Sequence, residues 1–142
     1  MRSVLYTLQK LKDQETKSKQ LQLASAQYEL FAQEQIRDDL MKTLEKERQI
    51  FPNTAGALDI HERIIFNRTF EVLVAEAKVS EKEDHVEICK EELLFARQEA
   101  KVTEELILSM EEKLALENKR KQDKVTDEIG VMAWWRNFGN EN

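Results

Sequence analysis

The stretch "FPNTAGALD" at residues 51–59 decides how this chain folds, because it holds the single proline and the first of the three glycines. Pro52 disfavours helical dihedrals at Phe51 and so ends any helix before it. Gly56 supplies backbone freedom for a turn. Asp59 and Glu62 have the spacing of a capping box, which starts a new helix. The prediction is one domain, 1–142, with helix one at about 3–50, the turn at about 51–58 and helix two at about 59–135.

The composition on either side of this break is typical of long, exposed helices. Charged residues make up 35 % of the chain, yet Gly is 3 and Pro is 1. Disordered chains are also polar, but they are usually richer in proline and glycine. High charge with so few helix breakers favours an all-α protein built from long helices.

Helix two carries a heptad seam, which requires a partner helix. Eleven of thirteen positions reached by alternate steps of three and four are apolar, within a segment otherwise rich in Glu and Lys. We expect the apolar members to form the coiled-coil core. The thirteen positions are Val72, Ala75, Val79, Lys82, Val86, Cys89, Leu93, Ala96, Ala100, Thr103, Ile107, Met110 and Leu114.

Helix one supplies a looser apolar stripe, interrupted by the polar run "KDQETKSKQ" at 12–20. The stripe comprises Val4, Leu8, Leu11, Leu21, Ala24, Tyr28, Phe31, Ile36, Leu40 and Leu44. If the chain turns near residue 55, residue i of helix one faces roughly residue 110 − i of helix two. Helix one then has no residue that could pair with helix two beyond about residue 107, so the last part of helix two has no partner helix within the chain. The expected fold is a long antiparallel two-helix coiled coil, an α-hairpin, with a C-terminal single-helix overhang and a monomeric rod as the free protein.

The charge distribution argues against nucleic acid as a partner. The net charge is −6, and residues 60–118 carry eight basic against fifteen acidic side chains. No stripe of Lys and Arg follows either helix. The lone cysteine, Cys89, suits a reducing compartment, and no apolar run is long enough for a signal peptide or a membrane span. We expect a cytoplasmic protein.

No motif for catalysis, a cofactor or a metal is complete. "HERII" at 61–65 begins like a zinc-protease helix, but Ile65 stands where the second histidine is required. His85 is the other histidine, and Cys89 occupies a core position of the seam, where a buried thiol is inert. Two helices alone offer the many carboxylates no enclosed pocket. The sequence therefore predicts a protein that is not an enzyme and that binds neither cofactor nor metal.

Two apolar surfaces have no obvious intramolecular partner. Beside the seam near the turn, a second stripe is either a widened core or a docking face; it comprises Phe66, Phe70, Leu73, Val74 and Ala77. The second surface lies on the overhang and is either a frayed tail or an anchor for a partner, since Trp is enriched at binding hot spots. It comprises Ile129, Val131, Met132, Trp134, Trp135 and Phe138. We expect these tail side chains to cover most of the circumference of the helix.

The segment "ARQEAKVTEELILSMEEKLALENKRKQDKVTDEI" at 96–129 resembles the FliJ family of flagellar type III export. The matching features are an Ala-Arg step at Ala96–Arg97, a basic stretch at Lys119–Lys124 and an Asp-Glu-apolar signature at Asp127–Glu128–Ile129. The opening "LYTLQKLKDQE" at 5–15 is also similar to the start of that family. The run "GVMAWWRNFG" at 130–139 and the polar run at 12–20 depart from the family pattern.

The resemblance implies a central stalk of the export ATPase complex. Such a stalk inserts one end into the ATPase hexamer, reaches the membrane export gate with its turn-proximal part and handles export chaperones, at the inner face of the membrane. The ATPase-engaging residues would be Lys119, Arg120, Lys121, Lys124, Asp127, Glu128, Ile129, Met132, Trp134 and Trp135. The gate-facing residues would be Phe66, Phe70, Val74 and Ala77. Two alternatives stay open: the equivalent stalk of an injectisome, and a coiled-coil adaptor or prefoldin-like chaperone.

Overall fold

Two long helices pack together as an antiparallel helical hairpin in the computed structural model, which describes residues 2–141 and the side chains of residues 2–139. Helix α1 spans Arg2–Arg48 and α2 spans Ala55–Glu141, with lengths of 47 and 87 residues. The predicted all-α hairpin is confirmed. The chain divides into two compact units: residues 14–98 form one, and residues 1–13 together with 99–142 form the other.

The connection between the helices is shorter than the sequence suggested, because Thr54 rather than Asp59 caps α2. The Ala57 amide donates to the Thr54 side-chain oxygen at 3.1 Å, and the Leu58 amide donates to the Thr54 carbonyl at 2.9 Å. These are the bonds of an N-cap residue. The expected helix start at Asp59 is therefore four residues late, and Gly56 lies inside the first turn of α2.

The C-terminal ends of both helices also differ from the expected bounds. Helix α1 ends at Arg48, where the amides of Gln49 and Ile50 close tighter bonds to the carbonyls three residues earlier. Helix α2 continues to Glu141 rather than stopping near residue 135. Gly130 and Gly139 do not interrupt it, because a single glycine lowers helix stability by only about 1 kcal/mol.

The unit formed by residues 14–98 contains most of the buried core. Each helix contributes one apolar stripe, and the small side chains of Ala26, Ala75 and Ala96 allow the helices to approach closely. A central cluster joins Ala26 with Val86 and Cys89, and Leu23 and Leu30 pack against it. The buried residues of this unit are Ala26, Leu44, Val72, Ala75, Val79, Val86, Cys89, Leu93 and Ala96.

Ion pairs across the helices fix the register of this unit. Lys19 bonds Glu92 at 3.1 Å, and Lys82 bonds Glu29 at 3.0 Å. Residue i of α1 thus lies opposite residue 111 − i of α2, one residue from the expected register. Lys19 lies in the polar run at 12–20, so charged pairs stand there in place of apolar contacts. The Thr16 hydroxyl, in the same run, donates a long bond of 3.5 Å to the Ala96 carbonyl.

The second unit, residues 1–13 with 99–142, has a smaller core. Thr103 and Ile107 are buried there, and the Thr103 hydroxyl donates to the Glu99 carbonyl at 3.0 Å. Lys12 pairs with Glu99 at 2.7 Å, and the Tyr6 hydroxyl donates to the Glu111 carboxylate. These contacts hold the start of α1 against α2.

The extent of α1 also sets where the seam stops. Ala100 and Met110 are half-buried, and Leu114 is exposed although the seam placed it in the core. The reason is geometric: in the observed register, no described residue of α1 lies opposite Leu114. From residue 112 to residue 139 every side chain of α2 is exposed.

Along the part of the chain that the structure describes, neither helix includes a segment sufficiently long and apolar to span a membrane.

The seam assignment predicts opposite effects of one substitution at two adjacent positions. Leu93 is 5 % exposed and Leu94 is 57 % exposed. Leu93→Glu buries an unpaired carboxylate and should lower the free energy of unfolding by about 3 kcal/mol or more. Leu94→Glu is the matched control and should change it by less than about 0.5 kcal/mol. Thermal melting followed by circular dichroism measures both, and equal melting temperatures would contradict the seam.

The cap assignment makes a second prediction. Thr54→Ala removes the side-chain acceptor and should lower the free energy of unfolding by about 1 kcal/mol, whereas Thr54→Ser keeps the acceptor and should have little effect. Asp59→Ala removes only the exposed 3.5 Å pair with Arg63, worth about 0 to 1 kcal/mol. The same melting experiment ranks the three variants. A larger loss of unfolding free energy for Asp59→Ala than for Thr54→Ala would contradict Thr54 as the cap and would favour a helix start at Asp59.

Candidate functional surfaces

Four residues of the second stripe, Phe66, Phe70, Val74 and Ala77, are those that the resemblance assigns to the gate, and all four are exposed rather than part of the core. The core line of the same helix segment runs through Val72, Ala75 and Val79. Successive helix positions point about 100° apart, so Phe66 and Ala77 point away from α1, and Phe70 is 62 % exposed. These four residues, which all lie in the unit formed by residues 14–98, are thus available to a partner protein.

The structure divides this stripe into two parts. Phe70 and Val74 form one wall of a groove of about 410 Å³, and Ile36 and Leu40 of α1 form the other wall. Phe66 instead lines a separate shallow depression that includes Asp59, Glu62, Arg63 and Asn67. We call the first of these the interhelical groove. In the sequence, Ile36 and Leu40 belong only to the apolar stripe of α1 that was expected to pack on α2. The feature of the sequence that indicates the groove is the width of the apolar stripe of α1, which covers more of the helix surface than packing against one partner helix requires.

The two histidines and the cysteine do not come together as a chemical site. His85 and Cys89 are one helical turn apart, with the Cys89 sulfur 3.8 Å from Nε2 of His85, and Cys89 is buried. His61 is partly exposed near the start of α2. Among the described residues there is no group of three or more His, Cys, Asp and Glu side chains placed to hold a metal ion.

The tail, defined here as residues 112–139, carries all ten residues that the sequence analysis assigned to ATPase engagement. Each of them is exposed. The basic group Lys119, Arg120, Lys121 and Lys124 precedes the acidic pair Asp127–Glu128 by about one turn. None of these six side chains forms an ion pair within the described part of the chain. The tail therefore presents its charges and its apolar side chains to solvent together.

Three aromatic rings of the tail form one cluster on one side of the helix. Trp134 and Phe138 are stacked with centroids 5.4 Å apart, and Trp135 meets both rings edge-on at 5.2 and 6.4 Å. Val131 completes the i, i+3, i+4, i+7 spacing of a single helix face. The three rings thus gather on one side of the helix, and the expectation that the tail residues as a set cover most of its circumference stays a prediction. The two tryptophans lie on either side of a stripe that passes between them.

This aromatic face, Val131, Trp134, Trp135 and Phe138, excludes two of the residues expected to act with the tryptophans. Ile129 and Met132 lie on another side of the helix, in line with Val125. All three are between 53 % and 62 % exposed. Val131 and Phe138 belong to the apolar surface expected on the overhang but not to the residues assigned to the ATPase, although their seven-residue separation across the tryptophans indicates the face. The tail thus has two distinct apolar faces.

The ring cluster predicts a spectroscopic signature in the free protein. Two indoles with centroids 5.2 Å apart are close enough for their excited states to couple. The far-ultraviolet circular dichroism should therefore show an exciton couplet on top of the helical spectrum. Trp134→Phe and Trp135→Phe should each remove it, whereas Phe51→Leu, at an exposed position in the turn, should keep it. A wild-type spectrum equal to the sum expected for two isolated indoles would contradict the cluster.

The fold and these surfaces agree with one known family. The model of the family described as "Flagellar FliJ protein" matches residues 1–139, essentially the whole chain. Comparison with curated proteins and with solved structures gives no significant match. The family is a non-catalytic, cytoplasmic component of flagellar-type protein export and is associated with the export apparatus. Because the match spans nearly every residue, this chain belongs to the FliJ family and is a stalk-like component of flagellar-type export.

Proposed function

We propose that the chain is the central stalk of a flagellar type III export ATPase complex. In this proposal the tail inserts into the ATPase hexamer, and the stripe of Phe66, Phe70, Val74 and Ala77 contacts the membrane export gate. The observation that carries the proposal is the tail itself: about 40 Å of helix beyond the start of α1, exposed on every side, with a preformed cluster of three rings. Exposed rings of this size are costly in water and are typical anchors at interfaces.

The aromatic face supports insertion because its rings are already arranged before a partner binds. Mutual packing restricts the rotamers of Trp134, Trp135 and Phe138, so less side-chain entropy is lost on binding. Trp134 and Trp135 are each about 60 % exposed, which leaves most of their surface to be buried. A partner that encloses the helix can bury the aromatic face and the Val125–Ile129–Met132 face together.

The charges of the tail support a steering role. Lys119, Arg120, Lys121 and Lys124 give the stretch before the aromatic face a local excess of positive charge, while residues 60–118 are strongly acidic. An acidic rim on the ATPase would attract the tail and repel the acidic middle of α2. Such complementarity raises the association rate and fixes which end enters.

The stalk would act by asymmetry rather than by catalysis. A hexamer offers six equivalent surfaces, and a single helix with two distinct apolar faces cannot make the same contacts with all six. Subunits that contact the aromatic face are therefore biased toward a different conformation from the others. Sequential bias of this kind is what couples a central stalk to rounds of nucleotide hydrolysis.

The same arrangement suits the stalk of an injectisome, and a coiled-coil adaptor would share its hairpin. An adaptor or prefoldin-like chaperone would hold client proteins with its apolar surfaces and would not need an ATPase. Stimulation of the hydrolysis of a purified hexameric export ATPase separates these functions. The flagellar and injectisome ATPases are tested side by side, and the proposal requires the stronger stimulation with the flagellar enzyme.

The tail makes a direct prediction for that assay. Replacing both Trp134 and Trp135 by Ala should weaken binding to the ATPase at least about 30-fold, the loss of about 2 kcal/mol typical of a hot spot, and should abolish stimulation. Truncation after Thr126 should do the same. The matched control replaces Leu106 and Leu108, each 52 % exposed in the same unit but outside the tail, by Ala.

Tryptophan emission reports the same contact, since both indoles lie in the tail. The wild-type spectrum should shift to the blue when the ATPase is added, because the indoles leave water. An unshifted spectrum in a demonstrated complex, or full stimulation by the Trp134→Ala, Trp135→Ala variant, would show that the tail does not engage the ATPase.

A further inference from the structure

The interhelical groove is apolar on both of its walls although neither wall belongs to the buried core. Ile36 is 49 % exposed and Phe70 is 62 % exposed, and Leu40 and Val74 complete the two walls. The floor is the buried Ala75, whose small side chain leaves the space between the helices open. All of these residues belong to the unit formed by residues 14–98.

The shape of the groove favours a helix as its occupant. Ile36 and Leu40 are four residues apart on α1, and Phe70 and Val74 are four residues apart on α2, so each wall repeats once per helical turn. A third helix lying along the groove can place its own i, i+3, i+4 and i+7 side chains between these walls, as in other helix-in-groove complexes. An extended or irregular segment would bring unpaired backbone groups against apolar walls, which is unfavourable.

The charges that line the groove define the chemistry of that helix. Glu71 is already paired with Arg68, at 3.2 Å. Lys82, one turn beyond the groove, is paired with Glu29. Lys78 lines the groove and forms no ion pair with any residue that the structure describes. The one uncompensated charge of the groove is therefore positive and lies at the end nearest Gln33.

We propose that the interhelical groove binds an amphipathic α-helix of the export gate protein, with an apolar face on Ile36, Leu40, Phe70 and Val74 and an acidic residue beside Lys78. The proposal rests on the proposed contact with the gate and defines the element of the gate that makes it. This contact surface differs from the gate-facing stripe of α2 in two ways. It includes Ile36 and Leu40 of α1, and it leaves out Phe66 and Ala77, which lie outside the groove.

Site-specific photocrosslinking with the purified cytoplasmic part of the export gate protein tests the proposal. A benzophenone amino acid is placed at position 36 and, as the matched control, at position 31. Phe31 is 58 % exposed and points about 140° away from Ile36 on α1. Position 36 should crosslink to a gate segment that is an acidic amphipathic helix, and position 31 should not crosslink. A third protein carries the photocrosslinker at position 66.

Charge reversal at Lys78 supplies the second measurement. Lys78→Glu should weaken binding of the same gate fragment about tenfold through like-charge repulsion, Lys78→Arg should retain it, and a Lys in place of the acidic residue of the mapped helix should restore binding to Lys78→Glu. Because Lys78 is exposed, melting curves should be unchanged.

The outcomes separate this proposal from the proposed function. Crosslinking at position 66 but not at position 36, or binding that is insensitive to Lys78→Glu, would overturn the groove while the gate contact stands. A crosslink from position 36 to a non-helical or basic gate segment would also overturn the groove. Absence of any binding between the wild-type chain and the gate fragment would overturn both.

Discussion

The burial of the α2 seam against α1 is the interaction on which the rest of this structure depends. The seam residues of α2, from Val72 to Ile107, are buried only because α1 packs against them in antiparallel register. At about 25 cal/mol per Å² of apolar surface, this burial is the dominant favourable term available to a chain with so small a core. Side chains outside the seam stay exposed or half-buried for a geometric reason: each helix can cover only one stripe of the other.

The unequal lengths of the helices turn this constraint into function. Helix α1 has 47 residues and α2 has 87, so the pairing ends while α2 continues. The tail is thus exposed without being unfolded, and its helix carries the ring cluster and the basic group at fixed angles to each other. The interhelical groove arises from the same constraint, because apolar side chains beyond the width of one seam remain at its edge.

The hairpin and its register were accessible from sequence because both follow from periodicity and from one break. The heptad spacing identifies the partner-facing side of α2, and the position of Pro52 sets the register to within one residue. The helix start was misplaced since Thr54 and Asp59 are both good N-cap residues, and only the bond from the Ala57 amide decides between them. Leu114 was misplaced because the apolar periodicity of α2 continues past the part of α2 that α1 covers.

The candidate surfaces were less accessible, since they depend on which sides of a helix remain uncovered. Trp134 and Trp135 are adjacent in sequence and 100° apart, and this spacing alone does not predict that their rings touch. Their actual arrangement depends on Phe138 and on rotamers that place three rings in contact. Ile36 and Leu40 look like ordinary core positions in the sequence, and only the packing of α1 on α2 shows that they border a groove.

Hydrogen exchange of the free chain and of its complex with the hexameric export ATPase tests the central claim most directly. In the free chain, amides within the paired segment from Val72 to Ile107 should be strongly protected, and those of the tail should exchange much faster because no packing opposes local opening. In the complex, protection should rise throughout the tail and stay unchanged at Val72–Leu93. Equal protection of the paired segment and the tail in the free chain, or added protection only outside the tail in the complex, would contradict the account.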